Sequence, residues 1–594
     1  MKVVLATLNA KYIHSSLALR YLHAYVQHDF PQTEICEYTI KEPLTQIVAD
    51  LYRRKPDIVA FSVYIWNVEE TIPLLAMLKK VLPNVVLIMG GPEVSYDTRQ
   101  WMNRIPEVDF IVQGEGEATF HHLLQSLASG GAANEINGLA YRQENRVHIN
   151  PPAAKIPLEQ IPSPYQNEAD MQALRNRVVY FETSRGCPFS CQFCLSSIET
   201  GVRYFPIERV KRELKTLIDA GIRTIKFVDR TFNLHRRYAL ELFQFLIENR
   251  GDTVFQFEIT GDILHKEIVD FLKANAPKGL FRFELGVQST NELTNSLVQR
   301  RQNFERLSQT ILAIKESGNI VQHLDLIAGL PEENYSSFKK TFNDVFSFEP
   351  DELQLGFLKM LRGTGMRLRA QEFGYTYMDH APYEIFSNHV LPYDDVLRIK
   401  QVEDVLEKYW NEGKLRHTVQ YLTRHVFASP FDFFQSFGDE WETQGWNRIG
   451  HQLEDLFLRL EQFLQKTCSS SQQASARSYM IYDFLLQHRI RPHKVWWNRS
   501  LNRADRTHVA QFIGEHPDLF GPAFMKLGLT KAELEKHTVL ETLPHLIHPN
   551  NPAQLPEPMP GLALFFYPPG LAKGAQPMRF VCPLPAEMRI AAGS

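Results

Sequence analysis

Three cysteines, Cys187, Cys191 and Cys194, fall in the stretch Cys-Pro-Phe-Ser-Cys-Gln-Phe-Cys at the spacing C-x3-C-x2-C. Thiolates this close in sequence can hold one metal centre, and soft sulfur donors favour zinc or iron–sulfur clusters. No fourth cysteine or histidine lies nearby to close the shell. A structural zinc takes four protein ligands, and a [4Fe–4S] cluster usually takes four cysteines. Three donors leave one coordination position open, which points to chemistry on a bound small molecule more than to scaffolding. A zinc knuckle with a distant fourth ligand is the competing reading.

Ser184-Arg185-Gly186-Cys187-Pro188 through Cys194, with Phe193 before the last cysteine, resembles the cluster motif of the radical S-adenosylmethionine (AdoMet, SAM) enzymes. The resemblance implies that Cys187, Cys191 and Cys194 ligate a [4Fe–4S] cluster whose free iron binds the amino and carboxylate groups of AdoMet. An electron from the cluster then splits the sulfonium bond and releases a 5′-deoxyadenosyl radical. Phe193 is placed against the adenine.

Around this motif, six strand-like runs alternate with helical ones, at 178–182, 224–228, 255–259, 281–287, 323–327 and 352–357. Repeated strand–helix units make a parallel barrel or part of one, with functional residues at the carboxyl ends of the strands. Six units match the partial (β/α)6 barrel of the radical AdoMet enzymes, expected over residues 171–365. Within it, Asp229-Arg230-Thr231-Phe232, Glu284-Leu285-Gly286-Val287-Gln288-Ser289 and Asp325-Leu326-Ile327-Ala328-Gly329-Leu330-Pro331 resemble turns of that family. By that resemblance Asp229 is a candidate for the AdoMet amino group, Arg301 for its carboxylate, and Gln288 and Asp325 for the ribose, with Glu258 in the same shell. A guanidinium suits a carboxylate because its planar fork matches two oxygens. Each of these side chains alone has a bland alternative as a strand-end cap or ion-pair member. The turn 358–365, with Gly363 and Gly365, is expected to close over the adenine.

Residues 1–150 read as alternating strands and helices, with apolar runs at 3–7, 57–63, 85–89 and 108–112. Such runs imply a doubly wound parallel sheet, whose ligands bind beyond the strand ends. Gly90, Gly91 and Gly114 fall in those turns. The order of motifs resembles the cobalamin-binding domain that precedes the barrel in one large subfamily, which makes these glycines candidate cobalamin contacts. The D-x-H-x-x-G signature of a cobalt-ligating histidine is absent, and a domain that keeps the fold without the cofactor is the alternative. His14, in the loop after the first strand, reads as a capping or surface residue before a cobalt ligand.

A proline-rich linker spans 151–170. Residues 366–594 read as a mostly helical domain, with amphipathic patterns at 396–410, 451–465 and 477–487. This region resembles a C-terminal extension of unassigned function on the same branch. The stretch 488–499 mixes basic and aromatic residues. Such a mixture suits nucleic acid or an acidic substrate, although a solvated rim around a buried tryptophan pair is the favoured reading. Tyr479, Tyr482 and Asp483 are expected in core packing, and Cys36, Cys468 and Cys582 as ordinary thiols.

Composition sets the outer bounds. A chain of 594 residues carries a net charge of −4 and is 44% hydrophobic. No global field therefore favours nucleic acid. No apolar run approaches the roughly 18 residues needed to cross a membrane. The opening Val3-Val4-Leu5-Ala6 is too short for a signal segment and reads as a strand. Six cysteines in so long a chain make no disulfide framework, and an oxygen-sensitive cluster fits a reducing cytosol. The expectation is a cytoplasmic radical SAM enzyme with a [4Fe–4S] cluster, AdoMet and cobalamin, reduced by a partner such as flavodoxin or ferredoxin. Its expected reaction is methylation of an unactivated carbon. Rearrangement or cyclisation with the same cofactors, tRNA modification, and a non-catalytic cofactor sensor are the alternatives.

Overall fold

The computed structural model describes residues 1–144, 146–198, 201–488, 491–499, 501–571 and 575–588. The chain forms two compact units, Met1–Thr341 with Leu355–Val396, and Phe342–Gln354 with Leu397–Ser594.

The first unit begins with strands β1 (Val3–Asn9), β2 (Thr33–Thr39), β3 (Ile58–Ser62), β4 (Val86–Gly90), β5 (Phe110–Val112), β6 (Leu139–Gln143) and β7 (Arg146–Ile149). They form one sheet in the order β2-β1-β3-β4-β5-β6-β7. The first five run parallel, whereas β5–β6 and β6–β7 pair antiparallel. Helices on both faces bury every residue of β1 and β3, which is why these strands carry unbroken apolar runs. The order reverses between β1 and β3, and a crevice opens beyond the carboxyl ends of strands at such a switch point. The two antiparallel strands extend the parallel sheet expected from sequence. Leu139–Gln143 and Arg146–Ile149 are only five and four residues long, too short for a pattern in sequence to stand out.

The same unit continues with β8 (Val178–Phe181), a hairpin of β9 (Ser184–Cys187) and β10 (Gly201–Tyr204), then β11 (Thr224–Phe227), β12 (Val254–Ile259), β13 (Phe281–Gln288), β14 (Val321–Ala328) and the end of β15 (Glu352–Phe357), whose residues 355–357 belong to this unit. The six long strands lie in chain order, β15-β14-β13-β12-β11-β8, as an open (β/α) barrel requires. β13 and β14 alternate strictly between buried and partly exposed residues. One face is apolar: Phe227, Phe257, Phe281 and Phe283 stack with Phe243 of the helix Arg236–Asn249 at centroid separations of 4.4–6.4 Å. The other face carries Lys226, Glu258, Glu284, Gln288 and Asp325.

The second unit is built on the helices Arg416–His425, Pro430–Thr443, Leu453–Thr467 and Ser470–Leu486. It also contains a three-stranded antiparallel sheet, Thr538–Leu543, Gly561–Phe566 and Met578–Pro583. This sheet adds a β element to the mainly helical expectation. Tyr479, Tyr482 and Asp483 are buried in this unit, and Asp483 accepts hydrogen bonds from Thr418 and His417, which is core packing. In the basic-aromatic stretch Trp497 is buried and donates to Glu541 at 3.3 Å, and Trp496 packs on Phe457. Its rings therefore serve the interior; Arg489 and Ile490 of that stretch lie outside the described residues. Among the described residues no helix is long and apolar enough to cross a membrane.

Candidate functional site

The thiol-bearing loop follows the first barrel strand and is fixed from several sides. Asp229, at the end of β11, accepts from Thr183 N (3.0 Å), Thr183 Oγ1 (2.6 Å) and Ser184 Oγ (2.5 Å). Further on, Gln192 N donates to Val298 O and Met366 N donates to Gln192 O, both at 2.9 Å. A Cβ on Gly365 would meet the Gln192 side-chain amide, which would have to swing aside, so the turn after β15 approaches the cluster loop closely. That turn, expected to cover the adenine, packs on the cluster loop itself. Burial pushes the Cys187 and Cys191 thiols up from their ordinary range, with the Arg300 guanidinium opposing it at Cys191.

Cys187, Cys191 and Cys194 line one cavity of about 280 Å³. Phe193 lines it from the same loop. Glu258, Gln288 and Asp325 reach it from β12, β13 and β14, and Arg301 from the segment beyond. The ladder explains the convergence, since Glu258 pairs with Glu284 and Asp325 with Gly286 across adjacent strands. A bulge between Gly286 and Gln288 turns the latter inward at φ 68°. Its Oε1 is buried without a hydrogen-bond partner. A buried amide oxygen left unpaired is costly, and a ligand's hydroxyl or amine would satisfy it. Among the described residues no three His, Cys, Asp or Glu side chains converge as a single metal ion demands. Three thiols sharing a cavity wall suit a polynuclear cluster in which three irons each take one thiolate and the fourth takes none. The donor set thus fits a [4Fe–4S] cluster, and the cavity fits a polar nucleotide beside it.

Asp229 stands apart from that group. It is 1% exposed, does not line the cavity, and spends its carboxylate on Thr183 and Ser184. Its place is beneath the cluster loop, as a pin. Spacing could not separate the two roles, because both put an acid at the end of the second barrel strand.

A second cavity, of about 760 Å³, opens beyond the carboxyl ends of β1, β3, β4 and β5. Gly90, Gly91 and Gly114 line it, as the turn positions required. A Cβ built on Gly114 meets nothing within 4 Å, so the backbone there borders open space, and its φ of 69° is what favours glycine. The mostly apolar lining and the volume fit a bulky cofactor. His14 also lines this cavity, half-buried, with Nδ1 2.8 Å from the Tyr180 hydroxyl. It is neither a cap nor a surface residue; the N-cap of the following helix Leu17–Val26 is Ser16.

The barrel contributes Glu182, Arg185 and Lys226 to the wall of the second cavity. Arg185 donates to Glu117 Oε1 at 2.6 Å and to Glu182 Oε1 at 2.8 Å, and lies 3.4 Å from Glu115 Oε2. Arg203, its partner across the β9–β10 hairpin, also bonds Glu115. The Gly-Glu-Gly-Glu turn after β5 is therefore bolted to the strand that leads into Cys187. Burial pushes the Glu182 carboxyl up to about 7 against the pull of Arg185.

Sequence reasoning missed three further groups. Arg300, next to Arg301, donates to Gly286 O and to Gln302 (3.1 Å), and its Nη1 lies 4.0 Å from Cys191 Sγ. Glu333 is fully buried below the Gln288 turn and accepts from Ser289 Oγ (2.6 Å) and Thr341 Oγ1 (2.7 Å). Burial pushes its carboxyl up to about 7. Arg230 lines both cavities. The run Pro331-Glu332-Glu333 after a strand was the available signal for Glu333; adjacency of Arg300 and Arg301 hid which one faces the sulfur.

Comparisons with known proteins agree with this geometry. The B12 binding domain model matches residues 2–124, the radical SAM superfamily model 181–345, and a protein family of unknown function, DUF4080, 371–557. An uncharacterized methyltransferase, PH0819, of Pyrococcus horikoshii is 26% identical over 357 residues, 59% of this chain and 76% of the relative. The cobalamin-dependent radical SAM methyltransferase TokK of Streptomyces tokunonensis is 28% identical over 304 residues, 48% of this chain; the match spans less than half (44%) of TokK itself. The radical SAM methyltransferase TsrM of Kitasatospora setae, solved with tryptophan and an AdoMet analogue, shares the fold with a TM-score of 0.54 at 17% identity, covering 62% of this chain and 76% of its own. Beside its cysteine-lined barrel cavity and glycine-lined crevice, the chain carries a B12 binding domain, a radical SAM domain and a C-terminal DUF4080 region, and it is similar to cobalamin-dependent radical SAM methyltransferases.

Proposed function

We propose that the protein methylates an unactivated carbon of a small molecule, using the thiol cavity for a [4Fe–4S] cluster with AdoMet and the glycine-walled cavity for cobalamin. The observation that carries this reading is that two cavities of different character share a wall. Arg230 and Glu258 line both. Bound there, the cluster supplies the electron that cleaves the AdoMet sulfonium, and cobalamin supplies methyl transfer.

The chain's own residues bind, orient and exclude water. Cys187, Cys191 and Cys194 hold the cluster. Gln288 offers its unpaired Oε1 and Asp325 its carboxylate to the ribose, Phe193 offers a ring to the adenine, and Arg301 offers its guanidinium to the AdoMet carboxylate. Glu258 is positioned to take the AdoMet ammonium, because Asp229 is spent on the loop. Burial holds the Glu258 carboxyl above its ordinary range, with Arg230 opposing it. Gly90, Gly91 and Gly114 leave room for cobalamin. The same reading divides the chain into a cobalamin-binding domain (1–150), a linker (151–170), a barrel (171–365) and a C-terminal domain (366–594). It also calls for a low-potential reductant such as flavodoxin or ferredoxin, in the cytoplasm.

The test is anaerobic reconstitution with iron, sulfide and cobalamin, then reduction in the presence of AdoMet. 5′-Deoxyadenosine together with methylated cobalamin is the expected result. 5′-Deoxyadenosine without cobalamin methylation moves the reading to rearrangement or cyclisation. An intact cluster that leaves AdoMet uncleaved moves it to a sensor, and protein that holds zinc in place of iron and sulfide ends it.

A further inference from the structure

Two guanidinium groups at the paired cavities are left without a committed partner among the described residues. The other cations there are spoken for. Arg185 serves Glu115, Glu117 and Glu182, and Lys226 holds both oxygens of Glu284 at 2.8 and 2.9 Å. Arg300 is bound to Gly286 O and Gln302. Arg301 lines the thiol cavity alone. Arg230 lines both cavities, its side chain is 51% exposed, and its one ion pair is a long one, 3.7 Å to Glu258.

AdoMet brings one carboxylate, and Arg301, confined to the thiol cavity, is placed for it. That leaves Arg230 facing the space where the two cavities meet. Any substrate that is to give up a hydrogen on one side and accept a methyl on the other has to occupy that space. A guanidinium offers five N–H donors, and a planar fork suited to a carboxylate or phosphate. A single long contact with Glu258 leaves most of them free. An uncommitted cation in a partly desolvated wall attracts an oxyanion more strongly than one in open water.

We propose that Arg230 anchors an oxyanion group of the substrate, a carboxylate or a phosphate, at the wall shared by the two cavities. This rests on the function proposed above and adds the charge class of the substrate.

The experiment is arginine-selective modification of the cofactor-loaded full chain by phenylglyoxal, with the cluster left unreduced so that AdoMet binds without being cleaved, read residue by residue from peptide masses. Saturating AdoMet is expected to slow labelling of Arg301 and to leave Arg230 reactive. Succinate or inorganic phosphate, added with AdoMet bound, is then expected to slow Arg230 labelling about tenfold at ten times the probe's Kd, as mass action requires. Protection by succinate alone marks a carboxylate site, and protection by phosphate alone a phosphate site. If AdoMet by itself protects Arg230 as it does Arg301, the guanidinium serves AdoMet and the proposal falls. It also falls if Arg230 resists labelling in the absence of any anion, or if neither probe protects it. Failure of AdoMet to protect Arg301 counts against the AdoMet site, and so against the function proposed above on which the reading of Arg230 rests; it is distinct from failure at Arg230, where Arg301 is protected and neither anion protects Arg230.

Discussion

The two sheets of the first unit use their strands in opposite ways. In β1 every residue is buried, and β3 is the same. In β13 buried and partly exposed residues alternate along all eight positions. A strand covered on both faces has no side chain to spare, so the N-terminal sheet can offer a ligand only its ends. A barrel strand covered on one face keeps every second side chain for the interior. Chemistry in this chain accordingly comes from turns in the first sheet and from strand faces in the second. The cavities differ to match: the first sheet gives one of them glycine turns and apolar strand ends, with the charged groups there coming from turns and from the barrel, while the other is walled by thiols, carboxylates, an amide and guanidinium groups.

Four substitutions break or sharpen that contrast. The largest effect is expected from Cys191→Ala. Iron and sulfide content should fall to background after reconstitution while cobalamin uptake stays within about twofold. Loss of both together in parallel titrations would show that the two cavities do not load independently. Next is Leu87→Ala, at a fully buried position of β4. Emptying it should cost about 2–5 kcal/mol in urea denaturation, with iron loading of the folded fraction unchanged. A cost near zero would contradict two-sided coverage of that strand.

Glu333→Gln tests the support beneath the barrel face. The folded carboxyl is pushed up to about 7 from an ordinary 4.5. Between those values the native state binds more protons than the unfolded state, so stability falls as pH rises through the window. Above it both states are ionised and the loss is complete, at most about 3 kcal/mol. The glutamine variant should flatten denaturation midpoints between pH 5 and 7.5, conditions set by about those two limits. An unchanged slope would mean that Glu333 ionises normally. The smallest effect belongs to Gln288→Ala. It keeps the same Cβ at φ 68° and should leave stability almost unaltered. AdoMet affinity, measured by equilibrium dialysis, should drop about tenfold for one lost hydrogen bond; equal affinity would remove Gln288 from the site.

Legibility followed the same contrast. The apolar runs of β1, β3 and β4 and the barrel's strand–helix rhythm could be read because burial imposes a period on sequence. Strands β6 and β7 escaped notice because they are short, and the three-stranded sheet of the second unit because an unbroken apolar run such as 562–566 suits a buried helix as well as a strand. The thiols were legible as a motif. The division of labour between Asp229 and its neighbours was not, because hydrogen bonds to Thr183 and Ser184 depend on how β8 and β11 lie side by side. Nor could spacing tell that Arg300 turns toward sulfur while Arg301 remains uncommitted.

The bolt formed by Arg185 with Glu115 and Glu117 has a practical corollary for chimeras. Its arginine side chain is 11% exposed and Glu117 is 6% exposed. Transplanting the first 150 residues onto a foreign barrel without these partners would strand a buried charge, a penalty of about 3–5 kcal/mol. Recombinants should exchange the trio as a block.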